Sequence, residues 1–344
     1  MGPKKSGDKK APKPDGDVQG EDPLQLLQNY QRFSKLIGIP VNQKIVAQLQ
    51  SDENQPLAQI VVDDEFGPLG PGGTRALTTA VLGTGQDMRG GPYRLLRSLR
   101  LWRAHCGDDG ARSIAELLRL GGAEVQLEYL ELFDDSIGPR GAVALGQALS
   151  IGCNKSLLTL KLDYNLSLGS EGIAALCRGL RTNSSLKQLH VPYCDLGSQS
   201  GAPLGEMLSF SQLQLTVLNL QGNRLEAEGI KDLSPGLARN RSLVYLSVAD
   251  NGIATGDSDA SALGEFRDAM MSCPTLTHID LLYNRIGERG AQIMLPALAP
   301  ENAHIKQFLV DATLPTPLFE ALHRKDVAGG KKGKKGKKGK KGKK

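Results

Sequence analysis

The chain has 344 residues with 42 basic and 37 acidic side chains, a net charge of +5, and apolar residues make up 40% of it. No apolar run approaches the about 18 residues that a membrane-spanning helix needs, and the apolar content is ample for a folded core. The composition excludes a membrane-spanning protein and a wholly disordered chain.

Charge is divided unevenly along the sequence. Residues 1–17 carry five lysines and three aspartates, residues 328–344 carry ten lysines and no acid, and the remainder has 27 basic and 34 acidic residues, or −7. Like-charged segments with few apolar residues do not fold alone. We therefore expect a disordered basic N-terminal arm at residues 1–21, an acidic folded body, and a disordered Lys/Gly tail at residues 328–344.

Residues 22–56 predict a helical N-terminal cap. Apolar side chains recur at helical spacing from Pro23 onward, Gly38 and Pro40 break the helix, and Ile45 and Leu49 mark a second short helix. Two helices at this place would cover the open end of the repeats that follow.

The body repeats one pattern, L-x-x-L-x-L-x-x-N-x-L, between residues 57 and 310. Copies lie 28 to 39 residues apart, and their first leucine-type positions are Leu57, Leu96, Leu127, Leu157, Leu186, Leu215, Leu243, Leu276 and Ile305. A recurring period predicts a solenoid, in which each repeat buries its apolar face against its neighbours. Apolar residues in the second half of each copy have helical spacing. We expect a glycine to open most of these helices, at Gly110, Gly141, Gly172, Gly201, Gly229 and Gly290.

The copy at residues 215–225 illustrates the structural role expected of each position in the repeat. Leu215, Leu218, Leu220 and Leu225 would form a core layer, while Asn223 would hydrogen-bond backbone groups where the chain leaves the strand. The asparagine position is also occupied by Asn165, Asn251 and Asn284, and by Cys194, Asp135 and Ala104 in copies that depart from the pattern. An insertion at residues 254–261 is either a tolerated loop or an acidic contact loop.

This unit resembles the ribonuclease-inhibitor class of leucine-rich repeats over residues 57–310. The resemblance implies an α/β fold, a leucine-rich repeat solenoid (horseshoe) with a parallel concave sheet of about nine strands and helices on the convex side. Residues 311–327 would then form a C-terminal cap with a short helix at residues 317–323.

Residues of catalytic type form no convincing group. The five cysteines lack a C-x-x-C pair, which indicates core thiols in a reducing compartment, and the five histidines lack metal-ligand spacing. The glycine-rich stretch at residues 83–91 has no Gly-Lys-Ser/Thr. We expect no enzyme activity, cofactor, metal site or small-molecule substrate, and instead a protein–protein interaction scaffold in a larger assembly.

Aromatic residues mark a candidate partner-binding surface. Seven of them fall at strand positions that would face the concave side, and five follow the third leucine-type position, so stacking of repeats should align them in a band. Aromatic and arginine side chains dominate binding at interfaces. The candidate concave-face residues are Arg100, Trp102, Arg103, Tyr129, Glu131, Phe133, Tyr164, Tyr193, Tyr245 and Tyr283. A basic patch beside an acidic patch is expected on this face, with Arg97, Arg100 and Arg103 in the first and Glu128, Glu131 and Asp134 in the second. Alternatively, the aromatics merely pack on one another.

The lysine tail is a second candidate surface. Its residues are Lys331, Lys332, Lys334, Lys335, Lys337, Lys338, Lys340, Lys341, Lys343 and Lys344. They present mobile positive charge to a polyanion such as an acidic tubulin tail, RNA, DNA or anionic lipid, with salt-sensitive attraction and no aromatic residue for base stacking. The alternative is a tail that only solubilises or tethers.

The layout of short helical cap and repeats also resembles leucine-rich subunits of motile cilia, which belong to radial spokes and the dynein regulatory complex. That resemblance implies a cytoplasmic protein of the cilium or flagellum axoneme. Ran GTPase-activating proteins share the repeat class, but they usually carry an acidic tail and their catalytic arginine matches no residue here. A GTPase regulator and an RNA-associated adaptor remain the alternatives.

Overall fold

The computed structural model describes residues 20–51, 57–85, 88–254, 256 and 259–325. Within them lies one sheet of nine parallel strands in sequential order, and these strands define repeats 1 to 9. The strands are β1 (Gln59–Val62), β2 (Ser98–Trp102), β3 (Tyr129–Phe133), β4 (Thr159–Lys161), β5 (Gln188–His190), β6 (Val217–Asn219), β7 (Tyr245–Ser247), β8 (His278–Asp280) and β9 (Gln307–Leu309).

Two helices precede β1, and an α-helix follows each strand. They are α1 (Pro23–Leu36), α2 (Gln43–Gln50), α3 (Gly70–Leu82), α4 (Gly107–Gly121), α5 (Pro139–Leu149), α6 (Gly169–Leu180), α7 (Gly201–Leu208), α8 (Glu226–Arg239), α9 (Asp259–Ser272), α10 (Gly287–Met294) and α11 (Thr316–Leu322). Each strand–helix unit packs on the next, so the sequence prediction of a nine-stranded parallel solenoid is confirmed.

Leucines hold the sheet and the helices together. In β3, Leu130 and Leu132 are fully buried while Tyr129, Glu131 and Phe133 are half-exposed. Strand side chains alternate between two faces, so one face forms the core and the other is the concave face. The register places equivalent core residues side by side, at Ile60, Leu99, Leu130, Leu160, Leu189, Leu218, Leu246, Ile279 and Phe308.

Buried asparagines join neighbouring repeats where the chain leaves each strand. The Asn223 carboxamide oxygen accepts from the amides of Cys194 and Leu196, and its nitrogen donates to the carbonyls of Val191 and Leu220, at 2.7 to 3.1 Å. Each side-chain hydrogen bond to the preceding repeat satisfies a backbone group that the turn would leave unpaired. The predicted role of this position is confirmed, and Asn165, Asn251 and Asn284 bond in a similar way.

Two substitutes at this position behave differently from asparagine. Cys194 is fully buried, and its thiol donates to the carbonyl of Leu162 at 3.0 Å. Asp135 is also fully buried, and neither carboxylate oxygen has a hydrogen-bond partner among the described groups. Burial raises the pKa of Asp135 to about 7, although nearby backbone amides favour its charged form.

A second set of buried asparagines, which sequence analysis missed, lies at the opposite edge. Asn154, Asn183 and Asn240 each donate to a helix carbonyl of the preceding repeat at 2.8 to 3.0 Å. Each oxygen accepts from the amides two and three residues further on. N-x-S-L at residues 154–157, 183–186 and 240–243 ends at the first leucine of the next repeat, and this placement separates the turn from the same four letters at residues 165–168.

The predicted helix starts need correction. Most helices begin before the glycine singled out in the sequence; α5, for example, begins at Pro139 and has Gly141 inside its first turn. Other glycines allow the closest helix contacts, because a Cβ on Gly179 would overlap the backbone of Gly146, and one on Gly236 would overlap Gly205.

Both ends of the repeat array carry helices. The buried Tyr30 of α1 accepts a hydrogen bond from the amide of Asn42, which in turn caps α2. At the other end α10 stops at Met294, and residues 295–298 form a 3₁₀ turn. Four of the five cysteines are buried, but Cys153 is half-exposed, contrary to the expectation of core thiols throughout. The expected arm at residues 1–21 falls almost wholly, and the tail at residues 328–344 entirely, outside the described residues.

Candidate functional site

The concave face carries three rows of side chains that the strand register lines up. The middle row contains Arg100, Glu131, Lys161, His190, Asn219, Ser247 and Asp280, each paired with the next along the sheet. Ionisable groups therefore occupy this row in repeats 2 to 5 and, as Asp280, in repeat 8, and uncharged polar groups occupy it in repeats 6 and 7. Most ionisable side chains of the middle row therefore lie in repeats 2 to 5.

Arg100, Tyr129, Glu131 and Lys161 form a charged cluster on β2, β3 and β4. The Tyr129 hydroxyl donates to the Glu131 carboxylate at 2.9 Å, and the Arg100 guanidinium lies 3.9 Å from the same carboxylate. The Arg100 guanidinium also lies 4.6 Å from the centroid of the Tyr129 ring, with the Lys161 ammonium at 5.9 Å. Each of the two cations is attracted to the face of the Tyr129 ring through cation–π contact.

Two ionisable groups beside this cluster are shielded from water. Burial, opposed by Lys161 and reinforced by Glu131, raises the pKa of Asp163 to about 6. Burial and Lys161 lower the pKa of His190 to about 4, against the opposing effect of Glu131. At neutral pH the imidazole is therefore uncharged, and the cluster together with Asp163 contains two cations and two carboxyl groups. Sequence analysis missed Lys161, Asp163 and His190, which the register alone brings together.

An aromatic ladder runs along the end of the strands in repeats 3 to 5, and we use this name for Phe133, Tyr164 and Tyr193. The Phe133 and Tyr164 rings are tilted with centroids 5.2 Å apart, and the Tyr164 and Tyr193 rings stack at 4.7 Å. Tyr193 is followed in the next repeat by Gly222, where a Cβ would overlap the Tyr193 ring. The ladder therefore lies flat against repeat 6 and ends there.

The tyrosines of the ladder occupy a strained backbone position. The residue before the asparagine position has a positive φ in repeats 2 to 8, at Arg103, Asp134, Tyr164, Tyr193, Gly222, Asp250 and Tyr283. Residues other than glycine pay roughly 1 kcal/mol for this left-handed conformation. Gly222 shows that glycine is accepted at the same place in the repeat.

The predicted aromatic band is only partly continuous. Phe133, Tyr164 and Tyr193 touch, whereas Gly222 and Asp250 separate Tyr193 from Tyr283 in the repeat register. Tyr245 lies at the start of β7, in the row that also contains Tyr129. The prediction of one band through repeats 2 to 8 was wrong, because turn residues at the two intervening positions carry no ring.

Trp102 and Arg103 line a different feature, a cleft of about 590 Å³ at the first three repeats. Asp63, Asp64 and Glu65 of repeat 1 form one wall, and Trp102, Arg103, Glu131 and Phe133 complete it. Arg103 pairs with Asp64 at 3.2 Å, and Lys44 of α2 pairs with Asp63. The Lys44 ammonium lowers the pKa of Asp63. The three acids were not recognised in the sequence, although they directly follow the third apolar position of β1.

The predicted basic patch and acidic patch on the concave face do not exist as separate surfaces. Arg97 lies 3.8 Å from Glu128, and Arg100 lies 3.9 Å from Glu131. Because parallel strands in register put these side chains beside each other, the charges pair across repeats and neutralise one another. The site therefore presents balanced charge next to exposed aromatic surface.

The described part of the chain offers neither a metal-binding cluster nor a membrane-spanning helix. No three His, Cys, Asp or Glu side chains of this part of the chain come together as a metal site would require. None of the helices described has the length and apolarity to cross a membrane.

Comparison with known proteins identifies the repeat class. A family model described as "Leucine Rich repeat" matches residues 214–234 and 272–292. The ribonuclease inhibitor of Sus scrofa is 25% identical over 208 residues, which cover 54% of this chain and 45% of the inhibitor. The chain is a leucine-rich repeat protein of the ribonuclease-inhibitor type. Its leucine-rich repeat relatives support the coarse role of a protein–protein interaction scaffold.

Other relatives of this leucine-rich repeat protein are much longer. The NACHT, LRR and PYD domains-containing protein 14 of Mus musculus is 29% identical over 214 residues, which cover 61% of this chain and 20% of the relative. The chain thus spans about a fifth of that relative and under half of the ribonuclease inhibitor. The solved structure of leiomodin-1 actin-binding site 2 covers 48% of the chain at 14% identity, and its TM-score of 0.39 is too low to carry an argument.

Proposed function

We propose that this leucine-rich repeat protein is a non-catalytic scaffold that binds a polypeptide partner on the concave face of repeats 2 to 5. The aromatic ladder supplies apolar contact area, and the cluster around Tyr129 supplies hydrogen-bonding and charged groups beside it. Aromatic residues with neighbouring arginines are the usual centres of binding energy at protein interfaces.

The observation that carries this proposal is the stacking of Tyr164 on Tyr193, with ring centroids 4.7 Å apart, on a surface where Tyr164 is 43% exposed. Both have positive φ, at 63° and 54°, in a position where repeat 6 uses Gly222. Tyrosine there destabilises the free protein by roughly 1 kcal/mol relative to a residue that tolerates this φ. Because this φ recurs in repeats 2 to 8, it belongs to the turn of every repeat, and what distinguishes the two ladder tyrosines is their stacking and their place beside the charged cluster.

The test is a double substitution with a matched control. Tyr164→Ala with Tyr193→Ala removes two rings of the ladder, while Tyr283→Ala removes a ring at the same repeat position outside it. Tyr283 is the most exposed of the three, at 67% of its surface. The partner is first recovered with the full chain by affinity purification and identified by mass spectrometry, and affinities are then measured by calorimetry.

We expect the double variant to bind its partner more weakly by over about 1 kcal/mol and the Tyr283→Ala variant to bind normally. Unfolding curves of both variants should show that the fold is kept. An unchanged affinity for the double variant, or an equal loss in both, would place the interface elsewhere on the solenoid.

The assembly to which the scaffold belongs is a further part of the proposal. Membership of a ciliary axoneme is supported by the layout of cap and repeats and by basic ends that would suit acidic tubulin tails. A regulator of a small GTPase and an RNA-associated adaptor are the competing roles. Axonemal proteins, a GTPase or ribosomal proteins among the purified partners would separate the three.

The lysine tail adds a proposed salt-dependent increment to binding. Its charge attracts any polyanion, and attraction of this type weakens steeply as salt rises. Deleting residues 328–344 should lower affinity for an anionic partner at low salt and leave the choice of partner unchanged. Normal affinity after deletion would make the tail a solubilising segment.

A further inference from the structure

The edge of the solenoid where helices end and strands begin carries only basic charged residues in repeats 4, 5 and 7, and no charged residue in repeat 6. We define the basic edge as residues 149–158, 178–187, 208–216 and 237–244, the segments that lead into β4, β5, β6 and β7. They contain Lys155, Arg178, Arg181, Lys187, Arg239 and Arg241, and no acidic residue. The folded body as a whole is acidic, so an edge with only basic charged residues has the opposite charge to the body.

Helix dipoles account for part of this charge. A base in the last helical turn is stabilised by the partial negative charge at the helix C-terminus, which explains Arg178 in α6 and Arg239 in α8. Lys155 and Lys187 lie in the connections that follow α5 and α6, beyond the last turn. Among the described residues, neither of these two ammonium groups has an ion-pair partner, so their charge is not used within the fold.

Apolar side chains lie between the bases. Ile151 is 69% exposed, and Leu158, Phe210 and Val244 are each more than a third exposed. Backbone hydrogen bonds run from Lys187 to Leu158, from Thr216 to Lys187 and from Val244 to Thr216, so these residues are neighbours across successive repeats. The buried asparagines of the N-x-S-L turns fix the backbone beneath them. The edge is therefore a strip that combines basic and exposed apolar side chains on a backbone held by buried hydrogen bonds.

We propose that the basic edge binds an acidic segment of a partner protein that also carries apolar side chains. Carboxylates complement the unpaired bases, and apolar residues of the segment cover Ile151, Leu158 and Val244. A nucleic acid fits less well, because single-stranded bases need free aromatic faces for stacking. Phe210 is the one aromatic ring in the basic edge, and the Arg181 guanidinium already lies 5.6 Å from its centroid.

This surface is separate from the concave face, so the two together would let one chain hold two partners. Direct binding measurements distinguish three possible occupants of the basic edge: an acidic peptide segment, a nucleic acid and a second copy of the chain. We would use the full chain with three probes: a labelled peptide repeating Glu-Glu-Leu, polyglutamate of equal length, and a single-stranded oligonucleotide. Because the lysine tail attracts all three, the comparison is made between variants that keep the same tail.

The charge-reversal variant combines Lys155→Glu, Lys187→Glu and Arg239→Glu. Its control combines Lys35→Glu, Arg75→Glu and Lys231→Glu, three exposed bases outside the edge with the same change of net charge. We expect the edge variant to bind the Glu-Glu-Leu peptide about tenfold more weakly than the control. Circular dichroism and thermal unfolding of both variants check that the fold is kept.

The apolar contribution has its own matched pair. Ile151→Ser with Val244→Ser should remove the preference of the protein for the Glu-Glu-Leu peptide over polyglutamate, whereas Leu166→Ser, at an equally exposed position on the opposite edge, should not. Equal binding of the peptide by both charge variants would overturn the proposal. Tighter binding of the oligonucleotide would make the edge a nucleic-acid surface, and edge-dependent self-association in sedimentation would make a second copy the occupant; either result also overturns it.

Discussion

Repeats 2 to 5 and repeats 6 to 8 share one core but present different concave faces. In the first group the middle row carries Arg100, Glu131, Lys161 and His190, and the aromatic ladder lies beside it. In the second group the equivalent row begins with Asn219 and Ser247, and Gly222 and Asp250 take the places of ladder tyrosines.

The turns at the ends of the strands show the opposite contrast. Repeats 6, 7 and 8 all have the bridging asparagine, whereas repeats 2, 3 and 5 have Ala104, Asp135 and Cys194 in its place. The half of the solenoid with the more elaborate surface therefore has the less regular hydrogen bonding. In a repeat protein each layer contacts only its neighbours, so one half can lose regularity without unfolding the other.

The largest effect should come from the core that both halves share. Leu218→Ala or Leu281→Ala would leave a cavity in a fully packed layer and lower the free energy of unfolding by about 2–5 kcal/mol. Leu166→Ala, at a side chain 67% exposed, should change it little. Denaturant titration measures all three, and wild-type stability of both core variants would contradict the strand register.

The asparagine turns should rank next. Asn223→Ala removes the four bridging hydrogen bonds to repeats 5 and 6 and strands buried backbone groups, at a cost of about 1–3 kcal/mol. Cys194→Ala loses a weaker thiol donor and should cost less. A larger loss for Cys194→Ala than for Asn223→Ala would show that the irregular turns are as important to stability as the regular ones.

Asp135 should make the first half sensitive to pH. Its pKa is raised to about 7 in the folded protein by burial, so the folded state binds more protons than the unfolded state between about pH 4 and that value. This contribution to stability is complete below about pH 4 and is lost as the pH rises towards 7. Asp135→Asn should restore a bridging amide and gain on the order of 2 kcal/mol at pH 8, with little gain at pH 4. A gain that is independent of pH in urea titrations would refute the titration of Asp135.

The left-handed turn position should give the smallest effects, with opposite signs in repeats 6 and 8. Gly222→Ala forces a Cβ into the Tyr193 ring at a φ of +69° and should destabilise the protein by about 1 kcal/mol or slightly more. Tyr283→Gly relieves a φ of +61° and should be neutral or stabilising by up to about 1 kcal/mol. Thermal unfolding of the pair measures the strain directly, and a large loss for Tyr283→Gly would mean that its ring supports the fold.

Much of the fold followed from spacing alone. The recurring leucines predicted nine strands, the alternation of buried and exposed positions, and the bonding of Asn223, because a solenoid repeats the same local geometry in every copy. The N-x-S-L turns are also present in the sequence but were not predicted, because they lie in the connections between helix and strand and recur in only three of them.

The candidate site depended on contacts that spacing does not report. Which charges pair across strands, as Arg97 does with Glu128, and which acids are buried, as Asp163 is, follow from the register and from the depth of each side chain. The sequence by itself determined the period, the core layers and the family of the chain, because these rest on interactions repeated between adjacent copies. Only the tertiary structure decided that the aromatic ladder stops at Gly222 and that bases gather on one edge, because both arise where different side chains meet at equivalent positions of successive repeats.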